Sequence, residues 1–261
     1  MPPAVPPPPS SAPPPPARGG WTALLLAALL GAAGYGVYSG RLAVPERFNP
    51  WAPLDVMAPP EADWWSGYKL SRARGDPALC RRALAQTGMR YEPLPDRVTG
   101  PGCGFDNAVR LRGAGVRLGA PVPLSCPMAL SFFMWERHAL QPAALRHFGE
   151  PVVALEHLGS YACRNINRGE GVGPAASAAR SRHATADALD VAGITLAGGK
   201  RISIARDWRP GASALPEREA QFLAEAHGGA CRFFQGVLGP DYNAVHRDHF
   251  HLETGGYRMC R

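Results

Sequence analysis

Lysine is almost missing from this chain. Of 261 residues only Lys69 and Lys200 are lysines, and the net charge of +7 rests on scattered arginines. There is no Lys/Arg run and no basic stripe interleaved with aromatics, so the usual footprint of a nucleic-acid binder is absent. No two cysteines are spaced CxxC, which argues against a zinc ribbon and against a thioredoxin-like dithiol. Neither GxSxG nor GxxxxGK occurs, so a nucleophile elbow and a phosphate loop are excluded as well. No internal repeat is present, and no cysteine precedes Cys80.

What is present begins with proline. Ten of the first 16 residues are Pro, and proline removes amide donors and favours extended polyproline II, so residues 1–20 read as a disordered tail. Residues 21–39 read as a transmembrane anchor, because the 18 residues from Trp21 to Tyr38 carry no charge. The alternative is a cleaved signal peptide and a secreted protein. A long tail with only Arg18 near the apolar run fits that alternative less well than it fits an anchor. Arg18 on one side against Arg41 and Arg47 on the other leaves the positive-inside bias weak and adverse. The cysteines speak more clearly. Cys80, Cys103, Cys126, Cys163, Cys231 and Cys260 all follow the apolar run, and an even number behind an export segment reads as three disulfides in an oxidising compartment. Pairing in sequence order, 80–103, 126–163 and 231–260, is the expectation. The protein is thus expected in the inner membrane as a single-pass chain with its C-terminal domain in the periplasm.

Residues 40–67, rich in Pro and Trp, read as a tether. Residues 68–261 are enough for one substantial core. Asp76-Pro77 predicts a short helix to about Gln86, and Pro127 predicts the first turn of a central apolar helix to about Leu140. Strands are expected over 151–161, 189–196, 201–205 and 250–253, with a turn at Gly198-Gly199. Pro216 is expected to start a helix that ends at Gly228-Gly229. Strands and helices are segregated, which predicts an α+β fold with an antiparallel sheet and flanking helices.

Half of the eight histidines fall in or beside two short stretches, Ser181-Arg182-His183-Ala184-Thr185-Ala186-Asp187-Ala188-Leu189-Asp190 and His246-Arg247-Asp248-His249-Phe250-His251. Imidazole and carboxylate suit a catalytic zinc, which takes three protein ligands and keeps one position open. His183, Asp190 and one of the pair His249/His251 supply such a set, and on a strand both members of that pair face one way. The imidazole left over is free for proton transfer.

Ser181-x-His183-x-x-Ala186-x-Ala188-x-Asp190 resembles the SxHxxGxAxD motif of the zinc peptidases related to lysostaphin, D-Ala-D-Ala carboxypeptidases and the hedgehog signalling domain. The HxxHxH of His246, His249 and His251 resembles the last motif of the murein DD-endopeptidase branch. From about Tyr68 onward the chain is similar to the extensin-like C-terminal domain family, on the phrases Leu124-Ser125-Cys126-Pro127-Met128-Ala129-Leu130, Gly159-Ser160-Tyr161-Ala162-Cys163-Arg164 and His246-Arg247-Asp248-His249-Phe250-His251. The resemblance implies a hedgehog/DD-peptidase-like fold, Zn2+ held by His183, Asp190 and His251, His249 and His246 as site histidines, Arg164 facing the substrate, and Ser181 as a structural hydrogen-bonder. Two departures stand out: Ala186 replaces the motif's glycine, and Cys163 precedes Arg164. The expected activity is zinc-dependent hydrolysis of peptidoglycan peptide bonds, endopeptidase or carboxypeptidase in type. The rival expectation is a non-catalytic, zinc-containing wall-binding or structural module, since no Glu stands where a general base is wanted.

Overall fold

A computed structural model describes residues 19–167, 179–211 and 217–261. It divides into two units, Met1–Pro45 and Glu46–Arg261. Nearly all of the proline-rich tail lies outside the described residues. In the first unit, helix α1 (Gly19–Tyr38) contains the window Trp21–Tyr38, with a mean hydropathy of 1.5. It is long and apolar enough to cross a membrane, and none of that window is buried in protein.

The second unit starts earlier than residue 68. Ala52, Leu54 and Val56 are buried, and the latter two join the main apolar core. The stretch 40–67, read as a tether, therefore contributes to the interior. It is held to helix α2 (Ser66–Gly75) by the buried Lys69, whose ammonium donates to the Glu46 carbonyl at 2.8 Å and to Asp63 at 2.6 Å. Helix α3 (Pro77–Ala85) follows. Its Asp76 cap accepts from the amides of Ala78 and Leu79, and Pro77 occupies the first turn, where its missing N–H costs nothing.

Next come five short strands that the sequence did not announce: β1 (Arg90–Pro93), β2 (Arg97–Gly100), β3 (Cys103–Phe105), β4 (Ala108–Gly113) and β5 (Val122–Ser125). β1, β4 and β5 form a three-stranded antiparallel sheet, and β2 and β3 form a separate hairpin. They are three to six residues long and broken by Gly and Pro, too short for a two-residue period to stand out.

Helix α4 (Cys126–Trp135) is the central helix, with every residue but Pro127 buried. Ser125 caps it, its hydroxyl accepting from the Met128 amide at 3.2 Å. Ser125→Ala should lower unfolding stability by about 1 kcal/mol, read as a shift in the urea midpoint; an unchanged midpoint would show the cap is idle. The helix does not stop near Leu140 as expected. It widens into a π-helical turn (Glu136–Leu140) and resumes as α5 (Gln141–Phe148). Pro142 explains the widening: it cannot donate to the carbonyl four residues back, and the Gln141 amide reaches to the Glu136 carbonyl instead.

The main sheet holds β6 (Val152–Gly159), β7 (Ala188–Leu196), β8 (Arg201–Ser203), β9 (Gly236–Leu238), β10 (Phe250–Glu253) and β11 (Met259–Cys260). Its order is β11-β9-β10-β7-β6, with β8 also paired to β7. All pairs are antiparallel except β11 with β9. Helices α6 (Ile204–Asp207) and α7 (Arg218–Ala230) complete the unit. Pro216, expected to open the last helix, lies outside the described residues, and α7 runs past Gly228-Gly229 to Ala230. Leu189, Val191, Phe250 and Leu252 turn one face of the sheet into the same core as Met128, Phe132, Trp135 and Phe222. The Trp135 indole N–H is satisfied by the Ala226 carbonyl at 3.0 Å. The result is mixed α+β with antiparallel sheets and helices.

The disulfides correct two of the three expected pairs. They join Cys80 to Cys126, Cys103 to Cys163, and Cys231 to Cys260. Order along the chain misleads because the five short strands lead away from α3 and return beside it, which brings Cys126 at the start of α4 against Cys80 in α3. All six cysteines are paired. Protein made with export should therefore show no alkylatable thiol before reduction and six after it. Finding six free thiols in the native exported protein would sink both the pairing and the compartment.

Candidate functional site

The alternation of β10 places Phe250 and Leu252 in the core, so His251 and Glu253 face the other side of the sheet. On β7, Asp190 lies between the buried Leu189 and Val191, and it is the direct cross-strand partner of His251. His183 comes from a 3₁₀ turn (Arg182–Thr185) that leads into β7. Ser181 caps that turn, its hydroxyl accepting from the His183 amide at 3.3 Å. The turn closes on Ala186, which is buried with φ 57°, the left-handed region that favours glycine. The backbone thus keeps the shape that a glycine would prefer, although alanine occupies it.

These elements bring the donor atoms of three residues together. His183 Nε2 is 3.1 Å from Asp190 Oδ2 and 3.2 Å from His251 Nδ1, and His251 Nδ1 is 2.9 Å from Asp190 Oδ1. Ligands of a tetrahedral zinc with bonds of about 2.0–2.1 Å stand about 3.3 Å apart, so the His183–His251 edge is nearly right, while Asp190 turns a different carboxylate oxygen to each imidazole. The outer nitrogens are also placed as a metal site requires. His183 Nδ1 donates to the Ser160 carbonyl at 3.1 Å, and His251 Nε2 donates to Glu253 Oε2 at 2.9 Å. Each bond fixes the tautomer that turns the other nitrogen inward. Glu253 was not singled out in the sequence. Its signal was available: it lies two residues beyond His251, so on a strand it shares that residue's face.

The remaining histidines crowd the same place. His249 Nε2 is 3.5 Å from Asp190 Oδ1, while its Nδ1 donates to Asp248 at 2.9 Å. His246 Nδ1 donates to Asn243 Oδ1 at 2.7 Å, and its ring centre is 5.3 Å from that of His249 and 5.6 Å from that of His251. Asp248 and Asn243 were left without a role by the sequence, and here they orient the two rings. Asp187 accepts from Thr185 Oγ1 at 2.6 Å. Arg164 is exposed, in the segment where Cys163 is bonded to Cys103 and the Ala162 amide donates to the His183 carbonyl, and its charge reaches His246. Trp208 packs against Phe250 and His227.

The electrostatics follow from burial and pairing. Burial alone would raise the Asp190 carboxyl, but hydrogen bonds from His183 and His251 and their charges hold it well below the usual carboxylate range. Burial opposes charge on His251 too, yet Asp190 and Glu253 together raise it to about 9. Burial, followed by the charges of His251 and His249, lowers His246 to about 4, so it is a neutral imidazole at pH 7. A metal at His251 Nδ1 must displace the proton that a pKa of about 9 keeps there. Zinc affinity should accordingly rise about tenfold per unit between pH 7 and 9 and flatten above that. A chelator-competition titration checks this, and a flat profile over that window rules out His251 as the proton-competing ligand.

A second cluster, His227 with Cys231 and Cys260, has ligand spacing, but the disulfide commits both sulfurs. Among the described residues, the His183–Asp190–His251 group is the one whose three donors are all free to bind a metal. Three ligands on one side of an ion leave a position open to water or substrate.

No curated protein and no solved structure matches the chain. The sequence model described as "Extensin-like protein C-terminus" matches residues 78–261, which take in the 3₁₀ turn, all of the main sheet and every residue of the site. On that match the chain belongs to the extensin-like C-terminus family.

Proposed function

We propose that this protein is a zinc-dependent hydrolase of peptidoglycan peptide bonds, of DD-endopeptidase or carboxypeptidase type, held in the inner membrane by its N-terminal helix with the folded unit in the periplasm. The observation that carries the reading is the triangle of His183, Asp190 and His251 with both outer imidazole nitrogens already tied to oxygen acceptors. The resemblance of these residues to the lysostaphin, D-Ala-D-Ala carboxypeptidase and hedgehog group points the same way. Six paired cysteines support the oxidising compartment.

Zinc bound there would supply a water acidified toward a pKa of about 7 and polarisation of the scissile carbonyl. The chain's own residues do the rest. His249, oriented by Asp248, receives and returns the proton through its Nε2, which faces the ligand group. His246, kept neutral and with its Nδ1–H held by Asn243, presents Nε2 as an acceptor and takes a hydrogen bond from an O–H or N–H of the reacting group. Arg164 meets a carbonyl or carboxylate of the wall peptide at the exposed rim.

One observation favours a second reading, a non-catalytic zinc module that binds the wall. Among the described residues, Glu253 is the glutamate bonded to a candidate ligand, and its carboxylate is engaged by His251 Nε2 rather than free to act as the base. The zinc-loaded full chain should be incubated with purified peptidoglycan and the products identified by mass. Released muropeptides with a new amine and a new carboxylate support hydrolysis. Binding to the wall without any mass change gives the second reading.

A further inference from the structure

The segment after the apolar helix folds in an unusual way. It sends Leu54 and Val56 into the core but leaves Phe48, Trp64 and Trp65 exposed. Trp64 is 79 % exposed, and Phe48, Trp65 and Tyr68 are exposed beside it. They are not loose. Phe48 and Trp64 meet edge to face at 5.0 Å, Trp65 and Tyr68 at 6.1 Å, and the Trp65 indole N–H donates to the Phe48 carbonyl at 3.2 Å. Lys69 fastens the segment beneath them to helix α2. Two cations lie over the rings: the Arg47 guanidinium is 4.6 Å from the centre of Phe48, and that of Arg72 is 5.9 Å from the centre of Tyr68. The folded unit therefore presents a rigid face of indole, phenyl and phenol rings edged with arginine, and exposed apolar clusters of this kind mark contact surfaces.

We propose that this face lies in the headgroup region of the bilayer that holds helix α1, as a membrane-interface contact of the folded unit. The inference rests on the anchored reading of that helix and is independent of the catalytic one. Two arguments select the bilayer over a protein partner. Trp and Tyr bring an apolar body and a polar tip, the combination that settles at the membrane–water boundary, and arginine adds attraction to anionic headgroups. The second argument is chain length. Seven residues, 39–45, lie between the end of the helix at Tyr38 and the start of the folded unit at Glu46. Eight extended steps reach at most about 28 Å, so a bilayer holding the helix keeps Glu46, and Phe48 two residues on, close to its surface.

The test uses the full chain, labelled with 5-fluorotryptophan and reconstituted in phosphatidylethanolamine–phosphatidylglycerol vesicles. Fluorine resonances are assigned by single Trp→Phe variants and read with nitroxide lipid and with a water-soluble gadolinium chelate. Trp21 and Trp64 should be broadened by the nitroxide lipid, and the fully buried Trp135 by neither reagent. Phe48→Ser with Trp64→Ser, both at exposed sites, should reduce lipid broadening of Trp65 severalfold. Broadening of Trp21 by lipid while Trp64 and Trp65 answer only to gadolinium overturns the contact and leaves the anchor standing. No lipid broadening of Trp21 overturns the anchor and the contact together. Shielding of Trp64 from both reagents that disappears as protein is diluted in lipid makes a second copy of the chain the occupant, and overturns the proposal as well.

Discussion

His249→Ala should keep its zinc and lose hydrolysis of wall peptides by roughly 10²–10⁴-fold, the usual worth of a positioned acid/base. His251→Ala should lose both. The split follows from where the two rings point. His251 is the cross-strand partner of Asp190 and offers Nδ1 to the ligand triangle. His249 stands one step before the strand, with Nδ1 spent on Asp248 and Nε2 at 3.5 Å from Asp190, beside the triangle but outside it. Metal content by mass spectrometry and turnover by product mass have to be read on the same samples. If His249→Ala loses zinc as completely as His251→Ala, the two roles are wrongly divided. Zinc retained by an inactive wild type that still binds wall would favour the non-catalytic module.

His183→Ala and Asp190→Ala should each abolish stoichiometric zinc while the fold persists. Each removes one of the three proposed ligands, and a catalytic zinc site takes three from the protein. Persistence of the fold is expected because the Cys103–Cys163 disulfide holds the segment beside His183, and the hydrophobic core lies on the other face of the sheet. Near-ultraviolet circular dichroism reports the fold and elemental analysis the metal. Glu253→Gln provides the graded control. It keeps the side chain's shape but weakens the bond to His251 Nε2, so zinc should bind about 10–100-fold more weakly rather than not at all. Full zinc occupancy in both alanine variants would remove the assignment.

The sequence disclosed some of this and hid some of it for physical reasons. Asp76-Pro77, Pro127 and the strand Phe250–Glu253 were legible because a helix start, a proline in the first turn and a two-residue period are local. His183, Asp190 and His251 could be picked out because few residue types bind metal and their spacing is unusual. Their meeting at about 3 Å is a fact of strand register that the spacing alone does not contain. The strands β1–β5 escaped notice because a stretch of four residues carries little periodicity, and β2 and β3 pair across an irregular register. The cystine partners depended on how those strands return, so order along the chain gave the wrong neighbours for Cys80 and Cys163. Glu253 and Asn243 act only through the rings they orient, and such a role becomes visible only once both ends of the bond are placed.

The π-helical turn has a consequence for how this chain can vary in length. A turn with five-residue spacing is an α-helix holding one extra residue, and one residue is worth about 100° of rotation in a helix of 3.6 residues per turn. Removing a single residue between Glu136 and Leu140 would let the turn close to α geometry and swing everything after it through that angle. Ala143 and Ala144, now fully buried, would leave the core, and the half-buried and exposed residues around them would be driven toward it. Insertions and deletions should therefore accumulate in the loops of this family and avoid these five positions, where the count of residues works as a phase setting for the helix that follows.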